Sequence, residues 1–292
     1  MRKAGQELRV DPSALSRALD HLERALGVRL LDRSPVGVRP TAAGEDFLRH
    51  ARAVLDAAGR ATDAMRAYGG GKRLKAGLIA GRLSAAELTE PILLRARADL
   101  PELTLDAKVI TTFGDEIRSV VEGSVDVAII RGPLHHPDLD VVPLALEPRA
   151  VLVSRDCALA QEDEVDVADL INHPTVRLAA TRDWAQFWQL DDSRPAPAYD
   201  GKSRPARNVA EMQTAVAGGH AIVSTSPAVE RIAIDEQTRC VGLRGVPPST
   251  IAVAFRADDR RPEVRQFVDS ALAAVNENIA LLPGGLLVPS LA

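Results

Sequence analysis

Thirty-one arginines against five lysines supply most of the positive charge in this 292-residue chain, so the chemistry on offer depends on where those guanidinium groups stand. The densest arrangement is near the N-terminus. From Asp11 to Leu26 the residues Leu15, Leu19, Leu22 and Leu26 recur at spacings of 4, 3 and 4, one stripe of an α-helix. Burying that stripe leaves Ser13, Ser16, Arg17, Asp20 and Arg24 on the outer face. A guanidinium fork there suits guanine O6 and N7, and the serine hydroxyls reach bases or phosphates, so the helix has the shape and donors of a major-groove reader. For an amphipathic helix taken alone, a solvated polar face is the rival reading.

Enzymatic chemistry is harder to find. There is no catalytic triad, phosphate-binding glycine loop or metal-ligand spacing, so no cofactor or metal is expected and the chain is not expected to be an enzyme. His135 and His136 precede Pro137 without an i+4 partner and read as exposed loop residues. Cys157 and Cys240 lie far apart with no CxxC around either, as buried thiols in a reducing cytoplasm would. No apolar run of about 18 residues occurs, which argues against export and membrane spanning, and a cytoplasmic protein is expected.

Charge is distributed unevenly. Residues 1–75 hold 15 Lys and Arg against 9 Asp and Glu, whereas the remainder holds 21 against 31. One end is suited to a polyanion and the other repels it.

The elements that must position these residues follow from periodicity. Asp11 and Pro12 form a good helix start and Gly27 a left-handed stop. Residues 29–40 have the makings of a short hairpin, with a turn at Ser34-Pro35-Val36-Gly37. Thr41 opens a second helix carrying Phe47, Ala51, Val54, Ala58, Ala61 and Met65 at heptad-like spacing, a seam that wants a partner helix; ordinary packing on its own domain is the alternative. Gly69-Gly70-Gly71 then reads as a hinge.

Beyond it, strand-like runs alternate with helical ones. The first set is Leu78–Ala80, helix Ser84–Ala98, Thr104–Ile110, helix Asp115–Glu122 and Val125–Ile130. The second is Ala150–Val153, Thr175–Leu178, helices Arg182–Leu190 and Val209–Ala217, and Ala221–Ser224. This alternation predicts two α/β lobes with mostly parallel sheets. Ile251–Phe255 and helix Pro262–Val275 close the fold, and the tail from Leu281 is expected to be loosely ordered.

The stretch Val10-Asp11-Pro12-Ser13-Ala14-Leu15-Ser16-Arg17, with Leu22-Glu23, Leu26-Gly27-Val28-Arg29-Leu30-Leu31-Asp32-Arg33 and Arg39-Pro40-Thr41-Ala42-Ala43-Gly44-Glu45 in order behind it, resembles the LysR-type transcriptional regulators. Residues 122–129 and 215–223 resemble, more loosely, that family's effector domain, which is similar to periplasmic solute-binding folds. The resemblance implies an α/β chain with these parts: a partial winged helix-turn-helix at 1–40, a linker and dimerisation helix at 41–68, a glycine hinge at 69–73 and an effector-binding domain at 74–292. Lobe I would take about 74–146 and 250–292, lobe II about 147–249.

It also implies a base-reading face of Ser13, Ser16, Arg17 and Asp20, with Arg33 and Arg39 in or beside the wing. Two departures stand out. Asp11 and Pro12 replace the family's usual polar pair, and about twenty residues that normally precede this point as the first helix are not found. An upstream start codon is the expected explanation, since the wing and linker pattern are intact, and a damaged head is the alternative. Without that helix Leu15, Leu19 and Leu22 would each forfeit part of the ~1.5–3 kcal/mol that full burial brings.

In doubly wound sheets ligands lie beyond the carboxyl ends of strands. The equivalent points are Arg82 and Ser84, Thr112, Arg131, Thr181 and Ser224. Arg82, Arg131 and Arg182 suit a carboxylate, with a solvated surface charge the equal alternative. Ser84 with Glu87 also has the spacing of a capping box. Trp184, Phe187 and Trp188 on one helix belong to the core or wall the cleft. The expected protein is a homodimeric or homotetrameric regulator that binds double-stranded operator DNA and a small, anionic effector, with RNA polymerase as a further partner. Its rivals are a truncated ligand-binding dimer without DNA binding, and a solute-binding protein on the same lobes.

Overall fold

Helix α1 (Pro12–Leu26) begins where Asp11 accepts a hydrogen bond from the Ser13 amide at 2.8 Å and ends at Gly27, whose φ of 70° needs no Cβ. The computed structural model describes residues 11–34, 37–68, 72–194, 204–219 and 221–288. The expectations about a missing first helix, the turn at Pro35-Val36 and the hinge glycines 69–71 fall outside the described residues. Leu15, Leu19 and Leu22 are half-buried and Leu26 is exposed, so the stripe is only partly covered within this unit.

Strands β1 (Leu31–Ser34) and β2 (Gly37–Pro40) pair antiparallel, setting Asp32 opposite Arg39 and Arg33 opposite Val38. Four local hydrogen bonds tie this hairpin to the helices. The Glu23 carboxylate accepts from the amides of Leu30 (2.7 Å) and Leu31 (3.0 Å). The Thr41 hydroxyl donates to Arg29 O at 2.7 Å and accepts from the Gly44 amide at 3.0 Å, capping α2 (Ala42–Tyr68). A Cβ on Gly44 would stand 1.9 Å from Leu30 O, so the Thr-x-x-Gly spacing lets the helix start press on the strand backbone.

Residues 62–292 form a second unit built on two sheets. The first orders its strands β12 (Leu286–Leu287), β6 (Leu139–Glu147), β11 (Ser249–Arg256), β5 (Val127–Arg131), β3 (Lys72–Ile79) and β4 (Leu103–Ile110). The second orders β8 (Glu164–Asp166), β10 (Thr238–Arg244), β7 (Ala150–Ser154) and β9 (Val223–Thr225). The chain leaves the first sheet through Pro148 and Arg149 and returns to it after β10. Every residue of β5 and β7 is buried, which explains why each reads as an apolar run up to its last residue, Arg131 or Ser154. Helices α3 (Thr89–Asp99), α4 (Asp115–Val121) and α8 (Pro262–Asn278) belong to the first sheet's lobe; α5 (Arg182–Gln189), α6 (Val209–Ala217) and α7 (Ala228–Ile232) contact strands of the second.

Several expectations change. The sheets are not mostly parallel: β3 pairs parallel with β4 and β5, but β11 pairs antiparallel with β5 and β6, and β10 and β9 pair antiparallel with β7. The chain crosses between lobes without a helix, which reverses strand direction. Strands β6 and β10 had no clear alternation to announce them. Residues 175–178 make only isolated bridges, Thr175 to Ile222 and Leu178 to Ala206. The helix expected from Ser84 starts at Thr89, after two short 3-10 turns, because Ala80 and Ala86 adopt left-handed φ values of 47° and 53°. Lys72 and Arg73, assigned to the hinge, already lie in β3. The tail is not loose throughout: Leu282 is buried and β12 pairs with β6. Both cysteines are free and half-buried rather than fully buried.

Candidate functional site

On α1 the 3.6-residue repeat puts Ser13, Ser16, Arg17 and Asp20 on one stripe, at i, i+3, i+4 and i+7. Ser13, Arg17 and Asp20 are exposed and Ser16 is half-buried. Arg24 Nε donates to Asp20 O at 3.1 Å, folding that side chain back along its own helix. Arg39 is exposed on β2; the side chain of Arg33 lies outside the described part of the structure. On α2, Phe47 and Ala51 are half-buried, whereas Val54, Ala58, Ala61 and Met65 are exposed. Leu48 and Leu55, seven residues apart and exposed, extend this apolar face; the heptad reading missed them although their spacing was available.

The second candidate region is a cavity of about 60 Å³ between the two lobes. From the first lobe it is lined by Ile79, Ala80, Leu83, Phe113 and Arg131, and from the second by Leu178, Trp184, Trp188, Met212, Ser224 and Thr225. The left-handed turn at Ala80-Gly81 brings the end of β3 onto this space, the kind of local strain that collects at binding sites. Contacts across it hold the lobes together. The Phe113 amide donates to Arg207 O at 2.7 Å, Trp184 Nε1 donates to Arg131 O at 2.7 Å, and Arg231 pairs with Glu87 at 2.7 Å.

Buried charge concentrates here. Arg131, at the end of β5, donates through Nε to Leu83 O (3.1 Å) and pairs through Nη1 with Glu147. Glu147 also accepts from the Ser226 hydroxyl at 3.1 Å. Arg149 donates through Nε to Ser224 Oγ (2.9 Å) and through Nη2 to Phe187 O, and its guanidinium lies 3.9 Å from the Phe187 ring centre. Burial pulls Arg131 down to about 9 and Arg149 down to about 10, the latter opposed by Asp192. Both stay charged at neutral pH.

Of the residues proposed for an effector, Arg131 and Ser224 meet at the cavity. Arg82 and Thr181 are exposed and do not line it, and neither does Thr112. Ser84 is buried and donates to Ile79 O at 3.1 Å; the capping box with Glu87 does not form, and Thr89 takes that place by accepting from the Ala85 amide. Trp184 and Trp188 do both jobs, packing in the core and walling the cavity. Arg182 and His135 are exposed and His136 half-buried. Glu147 and Arg149 were missed: they flank one proline between two apolar strands, and nothing local marks them for burial. No group of metal-binding side chains occurs among the described residues.

A family model described as the LysR substrate binding domain matches residues 78–276, and one described as the bacterial regulatory helix-turn-helix protein, lysR family, matches residues 1–45. The HTH-type transcriptional regulator TcbR of Pseudomonas sp. (strain P51) is 29% identical over 282 residues, 92% of either chain. The HTH-type transcriptional regulator AlsR of Bacillus subtilis (strain 168) is 27% identical over 202 residues, 66% of either chain. Among solved structures, that of CbnR, a LysR family transcriptional regulator, superposes with a TM-score of 0.62 at 22% identity, covering 94% of this chain and 93% of the other. The BenM effector binding domain with its effector benzoate covers 71% of this chain and 93% of its own, with a TM-score of 0.54 at 17% identity. At these identities the structures speak for a shared fold.

Proposed function

This chain belongs to the LysR family of bacterial transcriptional regulators, and from that premise we propose that α1 reads operator DNA while a small molecule in the inter-lobe cavity sets how tightly it does so. Ser13, Ser16, Arg17 and Asp20 form the base-facing stripe, with Arg33 and Arg39 beside it for phosphate or minor-groove contact. The working division is a DNA-reading part at 1–40, a linker helix at 41–68 and an effector domain beyond the glycines. Pairing of two copies through α2 would cover Leu48, Val54, Leu55 and Met65, which a lone helix leaves in water.

The observation that carries the regulatory half is the cavity itself, because its walls come from both lobes. A ligand contacting both sides changes the free energy of one lobe arrangement relative to another, and a coupling of about 1–3 kcal/mol to the DNA site suffices for control. RNA polymerase as a partner and a cytoplasmic location accord with this role.

The test is operator binding. The full chain should bind DNA from upstream of its own gene more tightly than scrambled DNA of equal length, measured by fluorescence anisotropy at fixed salt. Attachment that depends on salt and ignores sequence would refute the reading, since phosphate neutralisation alone gives that behaviour.

A further inference from the structure

We propose that Asp20 selects a cytosine in the operator, its carboxylate accepting a hydrogen bond from the cytosine N4 amino group one base-pair step from the guanine that Arg17 reads. This rests on α1 as the DNA-reading helix and gives a base-specific role to the acidic residue on its outer face. Helix α1 contains two acidic residues, Asp20 and Glu23, and they face different ways. At about 100° per residue, Asp20 stands roughly 130° around the helix from the middle of the Leu15, Leu19, Leu22 and Leu26 stripe, and Glu23 only about 70°.

The contacts follow those angles. Glu23 is half-buried and its carboxylate accepts from the Leu30 and Leu31 amides at 2.7 and 3.0 Å, so it belongs to the scaffold. Asp20 is exposed. Arg24 donates through Nε to the Asp20 carbonyl at 3.1 Å, which draws that arginine back along its own helix. The outer stripe therefore presents one outstretched guanidinium, Arg17, and one carboxylate three residues later.

A carboxylate turned toward a duplex is repelled by the phosphates, and at physiological salt screening sets in only beyond about 8 Å. Against that repulsion it needs a hydrogen-bond donor, and the major groove offers two: cytosine N4 and adenine N6. Guanine and thymine show acceptors alone. Adenine N6 lies between two acceptors, its own N7 and the thymine O4 of its partner, whereas cytosine N4 has guanine O6 on one side only. A carboxylate is therefore repelled less at cytosine. Residues 17 and 20 are about 4.5 Å apart along the helix axis, close to the spacing of about 3.4 Å between stacked bases, so the two side chains address neighbouring base pairs. With the Arg17 fork on guanine O6 and N7, the adjoining pair supplies the cytosine for Asp20.

The test selects binding sites from duplexes with a randomised central segment, at fixed salt, using the full chain and its Asp20→Ala and Asp20→Asn variants. The parent should recover a motif with cytosine at one fixed position beside a guanine. Asp20→Ala should lose the cytosine and keep the rest of the motif, and Asp20→Asn should move that position to adenine, whose N6 and N7 an amide matches. Within the recovered site, N4-methylcytosine places a methyl where the groove-facing amino hydrogen stood and keeps the pairing with guanine. It should weaken the parent about tenfold by fluorescence anisotropy, the value of one base contact, and leave Asp20→Ala unaffected. Thermal unfolding checks the fold of both variants, which should match the parent because Asp20 lies off the leucine stripe. An unchanged motif in Asp20→Ala would overturn the proposal, as would equal weakening of parent and variant by N4-methylcytosine. Uniformly tighter binding of Asp20→Ala to every duplex would do the same, because the carboxylate would then only repel phosphates. Each of these outcomes leaves the regulator standing; a parent chain that recovers no motif at all brings down both readings.

Discussion

Replacing Glu116 with Gln should make the protein more resistant to unfolding at alkaline pH than at acidic pH, relative to the parent chain. Glu116 sits in the first turn of α4, which packs against β3, β5 and β11, and it is 2% exposed. Its Oε2 has no hydrogen-bond partner among the described residues. Burial pushes its carboxyl up to about 7 from an ordinary 4.5; the amides of Glu116 and Gly114 pull the other way and the charge on Asp115 adds to the rise.

A folded-state value above the unfolded one means that the native form binds the proton more tightly. The contribution is therefore fully present below about 4.5 and is lost as pH rises to about 7. At about 1.4 kcal/mol per unit, the loss approaches roughly 3 kcal/mol. Gln stays neutral throughout, so urea midpoints measured on both chains from acid to mildly alkaline pH should diverge by about that amount, in favour of the variant at the alkaline end. Parallel midpoint curves would refute the argument, because they would mean that Glu116 is not ionising in an apolar setting.

Arg17→Ala should cost about 1–3 kcal/mol in operator affinity and relax selectivity at one base position, while ligand-induced fluorescence changes persist; unchanged operator affinity removes Arg17 from the reading face. Val54→Asp places a charge in the exposed apolar face of α2 and should give monomers on a sizing column, against a paired species for the parent. Gly44→Ala forces a methyl into the space held by Leu30 O and should destabilise the hairpin and α2 by about 1–3 kcal/mol or more, read as a lower thermal midpoint.

Local signals made the DNA-reading part legible. Asp11, Pro12, Gly27, Thr41 and Gly44 act on neighbours a few residues away, through caps, a left-handed stop and one close backbone approach, so their meaning survives in a linear string. The apolar stretches within β5, β7 and β11 announced the lobes for the same reason. Strand direction was not so encoded, because it depends on where the chain crosses between sheets.

The sequence by itself determined the family pattern, the polar stripe on α1 and the order of the main elements, since each rests on spacing along the chain. Which of the many arginines lie buried, and that two of them meet Glu147, Ser224 and Trp188 around one cavity, was decided only by tertiary structure. The cost of burying a charge is recovered only when partners from distant segments arrive together, and no local pattern records that arrival.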